Sequence, residues 1–358
     1  MSVWARVPQA RLATWAPDGA LLVSVPAAGQ VLRLAPAQPH VQTSVLLDGL
    51  DQPHGLAFDA GTLYVAESDE IDAFAYSAGR AGDRRVIAGG LPDARSPELG
   101  GAYAHALKSV AIGPDGAVYF SIGSTGNITA DDRAADPPRA TIMRVPPGGG
   151  APAVFATGVR NGTGLAVAPD GSLWTAVNNR DQVADPHPGP SYRKVTDYVN
   201  DHPPESVARL TPGRELGWPY CNPDVDGPPA FLRDVQTNAD GSRLDCAVLP
   251  PVEQTLGAHS APLGMSFLDG ALPAPYASGA LIGVHGSWNR TPPRAPEVSF
   301  FSWDNGTLGR RRTLVGGFQA PDGTRWGRPV AAVVGPDGAV YITDDYAGAV
   351  YRLAPPGR

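Results

Sequence analysis

The sequence predicts an all-β fold, a six-bladed β-propeller built from four-stranded antiparallel blades. Three observations predict it. One hairpin phrase, an apolar strand, a Pro-Asp-Gly reversal and a second apolar strand, occurs six times in intact or degenerate form, and internal repetition is the signature of repeat architectures. Gly 43 and Pro 38 are abundant for 358 residues, as many short strands joined by tight turns require. Hydrophobic residues reach 42% against 18% charged, which is ample for a core and too apolar for disorder.

The elements follow in order. SVWARV (2–7) stands alone before the first hairpin, LATWAPDGALLVSV (12–25). GLAFDAGTLYVAE (55–67) is the second hairpin and lacks the proline. SVAIGPDGAVYFSI (109–122) and GLAVAPDGSLWTAV (164–177) carry the full phrase. GMSFLDG with GALIGVH (264–285) is the fifth, with a longer turn, and AAVVGPDGAVYITD (331–344) is the sixth. Alternating β-branched and aromatic residues around Asp-Gly or Ala-Gly read as hairpins. Third strands follow as QVLRLA, TIMRVP, SVARLT, VSFFSW and AVYRLA, and AVFATGV and TLVGGF supply fourth strands. The chain ends on a third strand, so the opening strand is expected to complete the last blade and close the ring. Closure leaves few exposed edges, and a β-sandwich would not repeat one hairpin phrase six times. The stretch from about 181 to 253 is Pro-rich and weakly periodic. It is too long for an ordinary connection, and reads as a functional excursion within a single domain, 1–358.

Composition excludes several function classes. Lys+Arg 28 against Asp+Glu 35 gives a net charge of -7 without a basic run, which argues against nucleic acid as a partner. No run of about 18 apolar residues exists, so no membrane span is expected. Lys108 and Lys194 are the only lysines, and anionic ligands would therefore meet planar guanidinium groups. Met1-Ser2-Val3-Trp4 opens without a basic and apolar leader, leaving a cytoplasmic chain or an exported one whose leader has been removed. Cys221 and Cys246 lie in a loop-rich stretch. An even pair there points to a disulfide and export, with two unrelated thiols as the alternative.

The repeat frame also places the chemistry. In every hairpin the loop before the first strand and the loop after the second share one face, opposite the Asp-Gly turns. His105 and Arg160 each lie nine residues before the proline of their hairpins, and Asn161 and Arg328 each lie eight before. His54 and His259 stand at or near the same position in hairpins without that mark. The loops after the second strands hold GSTGN (123–127), NNRD (178–181), HGSWNR (285–290) and Asp344-Asp345. Histidine, arginine and asparagine thus converge from several blades on one mouth, as in a binding pocket on a rigid scaffold. The histidines lack a metal-ligand spacing such as HExxH, no GxSxG marks a serine nucleophile, and no GxGxxG opens a helix.

With those residues placed, the chain resembles the soluble quinoproteins of the glucose/sorbosone dehydrogenase family. The resemblance rests on HALKSVAIGPDGAVYFSIGSTGN, GVRNGTGLAVAPDGSLWTAVNNRD, ELGWPYCNPD, AHSAPLGMSF, LIGVHGSWNR and WGRPVAAVVGPDGAVYITDD, in family order over roughly residues 100–350. It implies oxidation of a sugar or alcohol by pyrroloquinoline quinone (PQQ), a tricarboxylate redox cofactor, with an external electron acceptor and a periplasmic or secreted location. The family's catalytic histidine falls on His105, which would take the substrate hydroxyl proton. Its arginine–asparagine pair falls on Arg160, holding developing negative charge, and Asn161, beside the cofactor. Arg328 and Arg325 would pair with cofactor carboxylates, and His259 would stand beside the cofactor. The family also binds calcium through backbone carbonyls, here those of Asn179 and Arg180. Where glucose-oxidising members carry a lysine this chain reads VHGSWNR, which puts His285 or Arg290 in its place. An acidic residue of those members is Ala104 here, and a tryptophan falls near Gly257, so the resemblance does not extend to glucose specificity. Two other functions fit a six-bladed propeller: a calcium-dependent lactonase, and a binding propeller without catalysis.

Overall fold

The computed structural model describes residues 1–354 except 38, 100, 187–194, 227 and 229; Lys194 lies outside the described residues. Six antiparallel blades surround a central axis. Their innermost strands are Ala13–Trp15, Gly55–Asp59, Val110–Ile112, Gly164–Val167, Pro262–Asp269 and Pro329–Val334, each opening one of the six hairpin phrases. The last blade runs Pro329–Val334, Val340–Asp344, Ala349–Leu353 and then Ser2–Arg6 at the outer edge. Ser2 pairs with Arg352 and Arg6 with Ala349, so the N-terminal strand closes the ring as expected. Among the described residues no helix is long and apolar enough to cross a membrane.

The turns show why the phrase repeats. In the four full copies the turn glycine, Gly19, Gly116, Gly171 or Gly338, has a φ of 74° to 82°, where a Cβ is strained. The preceding aspartate accepts a bond from the amide two residues on, at 3.3 Å for Asp18, 3.1 Å for Asp115 and Asp337 and 2.9 Å for Asp170. A third-strand arginine then clamps three of these carboxylates: Arg33 on Asp18, Arg144 on Asp115 and Arg352 on Asp337. That polar latch secures the face opposite the mouth and leaves the mouth's loops free to vary.

Strand alternation builds the core between blades rather than at one centre. Leu21, Val23 and Val25 pack toward the last blade with Tyr341 and Val350. Leu22, on the opposite side of the same strand, packs with Leu56, Leu63 and Phe74 of the second blade. Successive side chains of a strand point to opposite faces, so each blade fills two layers. Four further layers join the second and third, third and fourth, fourth and fifth, and fifth and sixth blades. At Gly55 the innermost strands of the second and third blades approach too closely for a side chain. A Cβ on Gly55 would lie 2.6 Å from the Val110 nitrogen.

The Pro-rich stretch is several structures. It contains the helix Val195–Asp201, the fourth blade's third strand Glu205–Leu210, and a hairpin of Cys221–Pro223 with Phe231–Arg233. Arg214–Glu215 adds a fifth, parallel strand to the third blade, and the fourth blade finishes at Gln254–Leu256. Cys221 and Cys246 are bonded, with Cα atoms 5.7 Å apart, over a small core of their own with Phe231 and Leu249. A bridge across 25 residues stabilises by about 3 kcal/mol through the entropy it removes from the open chain. Replacing both cysteines by alanine is expected to lower hydrogen-exchange protection of residues 221–246 by that amount. Amides of the propeller strands should keep theirs, because of the residues in the hairpin's core only the partly buried Val252 also packs in a blade layer.

Candidate active site

Loops from the third, fourth and fifth blades enclose a cavity of about 170 Å³ lined by His105, Arg160, Asn161, Asp181, His259 and Trp288 among others. His105 sits in the loop before Val110–Ile112. Its Nδ1 lies 2.9 Å from both the carbonyl oxygen and the Oγ of Ser124. Ser124 Oγ donates its own proton to the Gly126 carbonyl at 2.7 Å, so both neighbours accept and Nδ1 must carry the hydrogen. Nε2 of the neutral ring is left as a base. Burial, with the Arg160 charge beside it, pushes the imidazole down to about 3, which keeps it neutral across the physiological range. Gly123 makes this placement sterically possible, since a Cβ there would lie 2.6 Å from His105 Cβ.

Arg160 is 5% exposed and joins three loops. Nη1 donates to the carbonyls of Asn178 (3.1 Å) and Asn179 (2.9 Å). Nη2 donates to Asn127 Oδ1 at 3.0 Å and Nε to the Asn127 carbonyl at 3.3 Å. Burial draws the guanidinium below its ordinary value. Asn161 follows it on the cavity wall, and its carbonyl accepts from the Asn178 amide at 3.0 Å.

Two carboxylates not singled out from the sequence complete the cavity. Asp181 accepts from His259 Nδ1 at 2.8 Å and Asn289 Nδ2 at 2.9 Å. Burial works to raise its carboxyl, but these donors and the Arg160 charge outweigh it and hold Asp181 below its ordinary value. The other His259 nitrogen faces the Val199 carbonyl at 2.6 Å. Burial disfavours the charged ring, yet Asp181 and that carbonyl push it up. His259 and Ala261 both adopt positive φ, 59° and 53°, a conformation that side chains rarely hold without a structural reason. Glu205, 4% exposed, accepts the Asn179 amide at 2.5 Å, and burial pushes it up to about 7. Asp181 was visible only as the last letter of NNRD, and Glu205 only as the residue before SVARLT.

A second cavity of about 430 Å³ is lined by Arg11, Arg328, Asp345 and Leu107; Leu107 belongs to the His105 loop. Arg11 donates to Asp345 at 2.8 Å, and its Nη2 lies 3.4 Å from Nε2 of the fully buried His54. His285 lies 3.3 Å from Asp345, and burial pushes it down to about 4. Arg11 Nε and Asn289 Oδ1 are buried without a partner among the described residues. Among the described residues Arg328 makes one long side-chain contact, Nε to the His285 carbonyl at 3.5 Å.

The structure thus brings His105, Arg160, Asn161 and His259 into one cavity and sets Arg328 on the second, with His285 against its Asp345. Other predicted residues face elsewhere. Arg290 is held by the Asn200 carbonyl (3.0 Å) and Asp201 (2.8 Å). Arg325 is held by Gln319 (2.8 Å) and the carbonyls of Ser287 and Arg294. Asn179, by contrast, lines the first cavity and its carbonyl accepts from Arg160 at 2.9 Å, while the Arg180 side chain runs into the inserted hairpin to Asp234 and Gln236. Lys108 is locked against the carbonyls of Ser68, Pro92 and Ala106, outside both cavities.

Known proteins share this fold. An iodide-bound structure of the Trichoderma reesei carbohydrate-active enzyme family AA12 superposes with a TM-score of 0.77 at 19% identity, covering 98% of this chain and 94% of the other. The holo PQQ domain of a pyranose dehydrogenase from Coprinopsis cinerea gives 0.74 at 20% identity, with the same coverage. PQQ-bound aldose sugar dehydrogenase from Streptomyces coelicolor gives 0.64 at 14% identity, covering 97% and 91%. An uncharacterised protein of Borreliella burgdorferi is 28% identical over 204 residues, 56% of this chain and 48% of that protein. The chain therefore spans about half the length of that curated relative. The TrAA12-like family profile matches residues 3–355, and the chain belongs to that family.

Proposed function

We propose that this protein is a PQQ- and calcium-dependent dehydrogenase that oxidises an aldose, or a related polyol or aldehyde, and passes the electrons to an external acceptor. The observation that carries the proposal is His105. It is a neutral imidazole with Nδ1–H fixed on Ser124 and Nε2 left as base, in a cavity shared with the buried Arg160. A base held in the right tautomer by its other nitrogen is ready to accept a hydroxyl proton.

The chain's donors suit a flat polyanion. Arg11 and Arg328 line one cavity and Arg160 with Asn161 the other. The Arg11 Nε donor lacks a partner among the described residues, and buried polar groups ordinarily have one. Arg328 and Arg11 would hold carboxylates, Asn161 and His259 would flank the cofactor, and Arg160 would face its quinone oxygens. The oxygen ligation that calcium prefers would come from the Arg180 carbonyl, because the Asn179 carbonyl already accepts from Arg160 at 2.9 Å. When bound, PQQ supplies the two-electron acceptor for the substrate hydride. His105 Nε2 takes the hydroxyl proton, and Asp181 with Asn289 keeps His259 oriented on the cavity wall. The Cys221–Cys246 bond accords with an oxidising compartment, periplasmic or extracellular.

The test is to add PQQ with calcium to the purified protein, record the quinone absorbance, and follow reduction of a redox dye with a panel of aldoses. The expected result is a quinone absorbance change and dye reduction with at least one aldose. Absence of PQQ binding would overturn the proposal. Binding without turnover on any substrate would assign the protein to the non-catalytic class.

A further inference from the structure

Beyond the mouth, the inserted segment gathers a second set of metal-binding side chains. His202 Nε2 lies 3.0 Å from Asp226 Oδ2 and 3.7 Å from Asp224 Oδ1, and one ligand atom from each residue falls within 4.8 Å of the others. His202 and Asp224 are largely enclosed and Asp226 stands at the surface. Ligands about 2.0–2.1 Å from a tetrahedral zinc ion sit roughly 3.3 Å from one another, and the two imidazole–carboxylate spacings bracket that value.

The imidazole is prepared for a cation from outside the cluster. Nδ1 lies 3.0 Å from the Tyr198 carbonyl, which can only accept, so a hydrogen sits on Nδ1 and Nε2 is the nitrogen turned to the carboxylates. Metal-bound histidines are oriented in this way by a carbonyl on the other nitrogen. The Tyr198 ring stacks on the imidazole at 4.1 Å and 7°, fixing its plane. Acceptor atoms 3.0 Å apart repel unless a proton or an ion lies between them. A proton serves one pair, whereas an ion serves all three acceptors. Among the described residues no arginine pairs with Asp224 or Asp226.

We propose that His202, Asp224 and Asp226 form a divalent-cation site selective for zinc-type ions, distinct from the oxygen-ligated calcium expected at the mouth. One nitrogen and two carboxylate oxygens suit zinc, with water completing the tetrahedron. The ion fastens the end of the helix Val195–Asp201 to the residues following Cys221–Pro223. That helix supplies the Val199 carbonyl to His259 and the Asn200 carbonyl to Arg290, so the site braces one wall of the mouth.

The test uses the whole chain, stripped with chelator and kept in excess calcium, titrated calorimetrically with zinc and then with cobalt(II) as a visible-absorption probe. One tight zinc equivalent is expected, with a cobalt spectrum of nitrogen–oxygen ligation and a zinc-dependent rise in Tm. Asp226→Asn, an exposed change that leaves packing intact, and His202→Gln should each weaken zinc binding at least about tenfold and abolish the Tm rise. His285→Gln should retain the equivalent. The proposal is overturned if calcium-saturated protein takes up no zinc, if Asp226→Asn binds zinc as tightly as the parent, or if His285→Gln loses it.

Discussion

His105→Ala is expected to lower turnover by about 10²–10⁴-fold, the range a positioned general base contributes, while PQQ affinity changes only a few-fold. The asymmetry follows from the geometry. His105 fixes its Nδ1–H on Ser124 and keeps Nε2 for the substrate, whereas the charged donors suited to a tricarboxylate are Arg11, Arg160 and Arg328. The pH profile provides a second reading of the same residue. Burial pushes His105 down to about 3, so its basic form persists as pH falls from 7 toward 4 and should not limit turnover there. An inflection near neutrality would instead belong to Glu205, which burial pushes up to about 7. Glu205→Gln, which keeps an acceptor for the Asn179 amide, should remove that inflection. A surviving imidazole-like limb in Glu205→Gln, or activity in His105→Ala within tenfold of the parent, would overturn the assignment.

Arg160→Lys should be nearly as damaging, with kcat reduced by about 10²–10³-fold although the charge is kept. The guanidinium spreads its donors over the Asn127 and Asn178–Asn179 segments, and a lysine ammonium offers only three, without the planar fork. Each acceptor left unsatisfied costs about 1–3 kcal/mol, so Tm should fall as well. Single-turnover rates separate the two losses: a chemical step slowed in protein that is still folded and PQQ-bound is the expected pattern. If Arg160→Lys turned over within tenfold of the parent, charge alone would account for the residue, and the bridging geometry would have no catalytic part.

How far the site was visible in the sequence depends on what each residue's role requires. His105, Arg160 and Asn161 were placed together by counting from the turn prolines, because hairpin register fixes which loop residues reach the axis. His259 joined them from a copy lacking the mark. The orientations of Arg180, Arg290 and Arg325 were not visible. Each long side chain goes to whichever acceptors are nearest, and those acceptors, Asp234, Asn200 and Ser287, lie in loops whose approach no repeat dictates. Arg11 escaped notice for a related reason. It sits ahead of the first hairpin and meets Asp345, 334 residues away, only because the ring closes.

By itself the sequence determined the local chemistry of the blades: alternation assigned faces, Asp-Gly turns assigned hairpins, six copies assigned the blade number, and an unmatched first strand assigned the closure. Those are short-range consequences of side-chain period and turn geometry, and they carry over intact. Only the tertiary structure decided which charges meet. The neutral state of His105, the pairing of Asp181 with His259, the raised Glu205 and the convergence of His202 with Asp224 and Asp226 arise from burial and from contacts between distant segments. Electrostatic free energy depends on distance and solvent exposure, and neither is set by position along the chain.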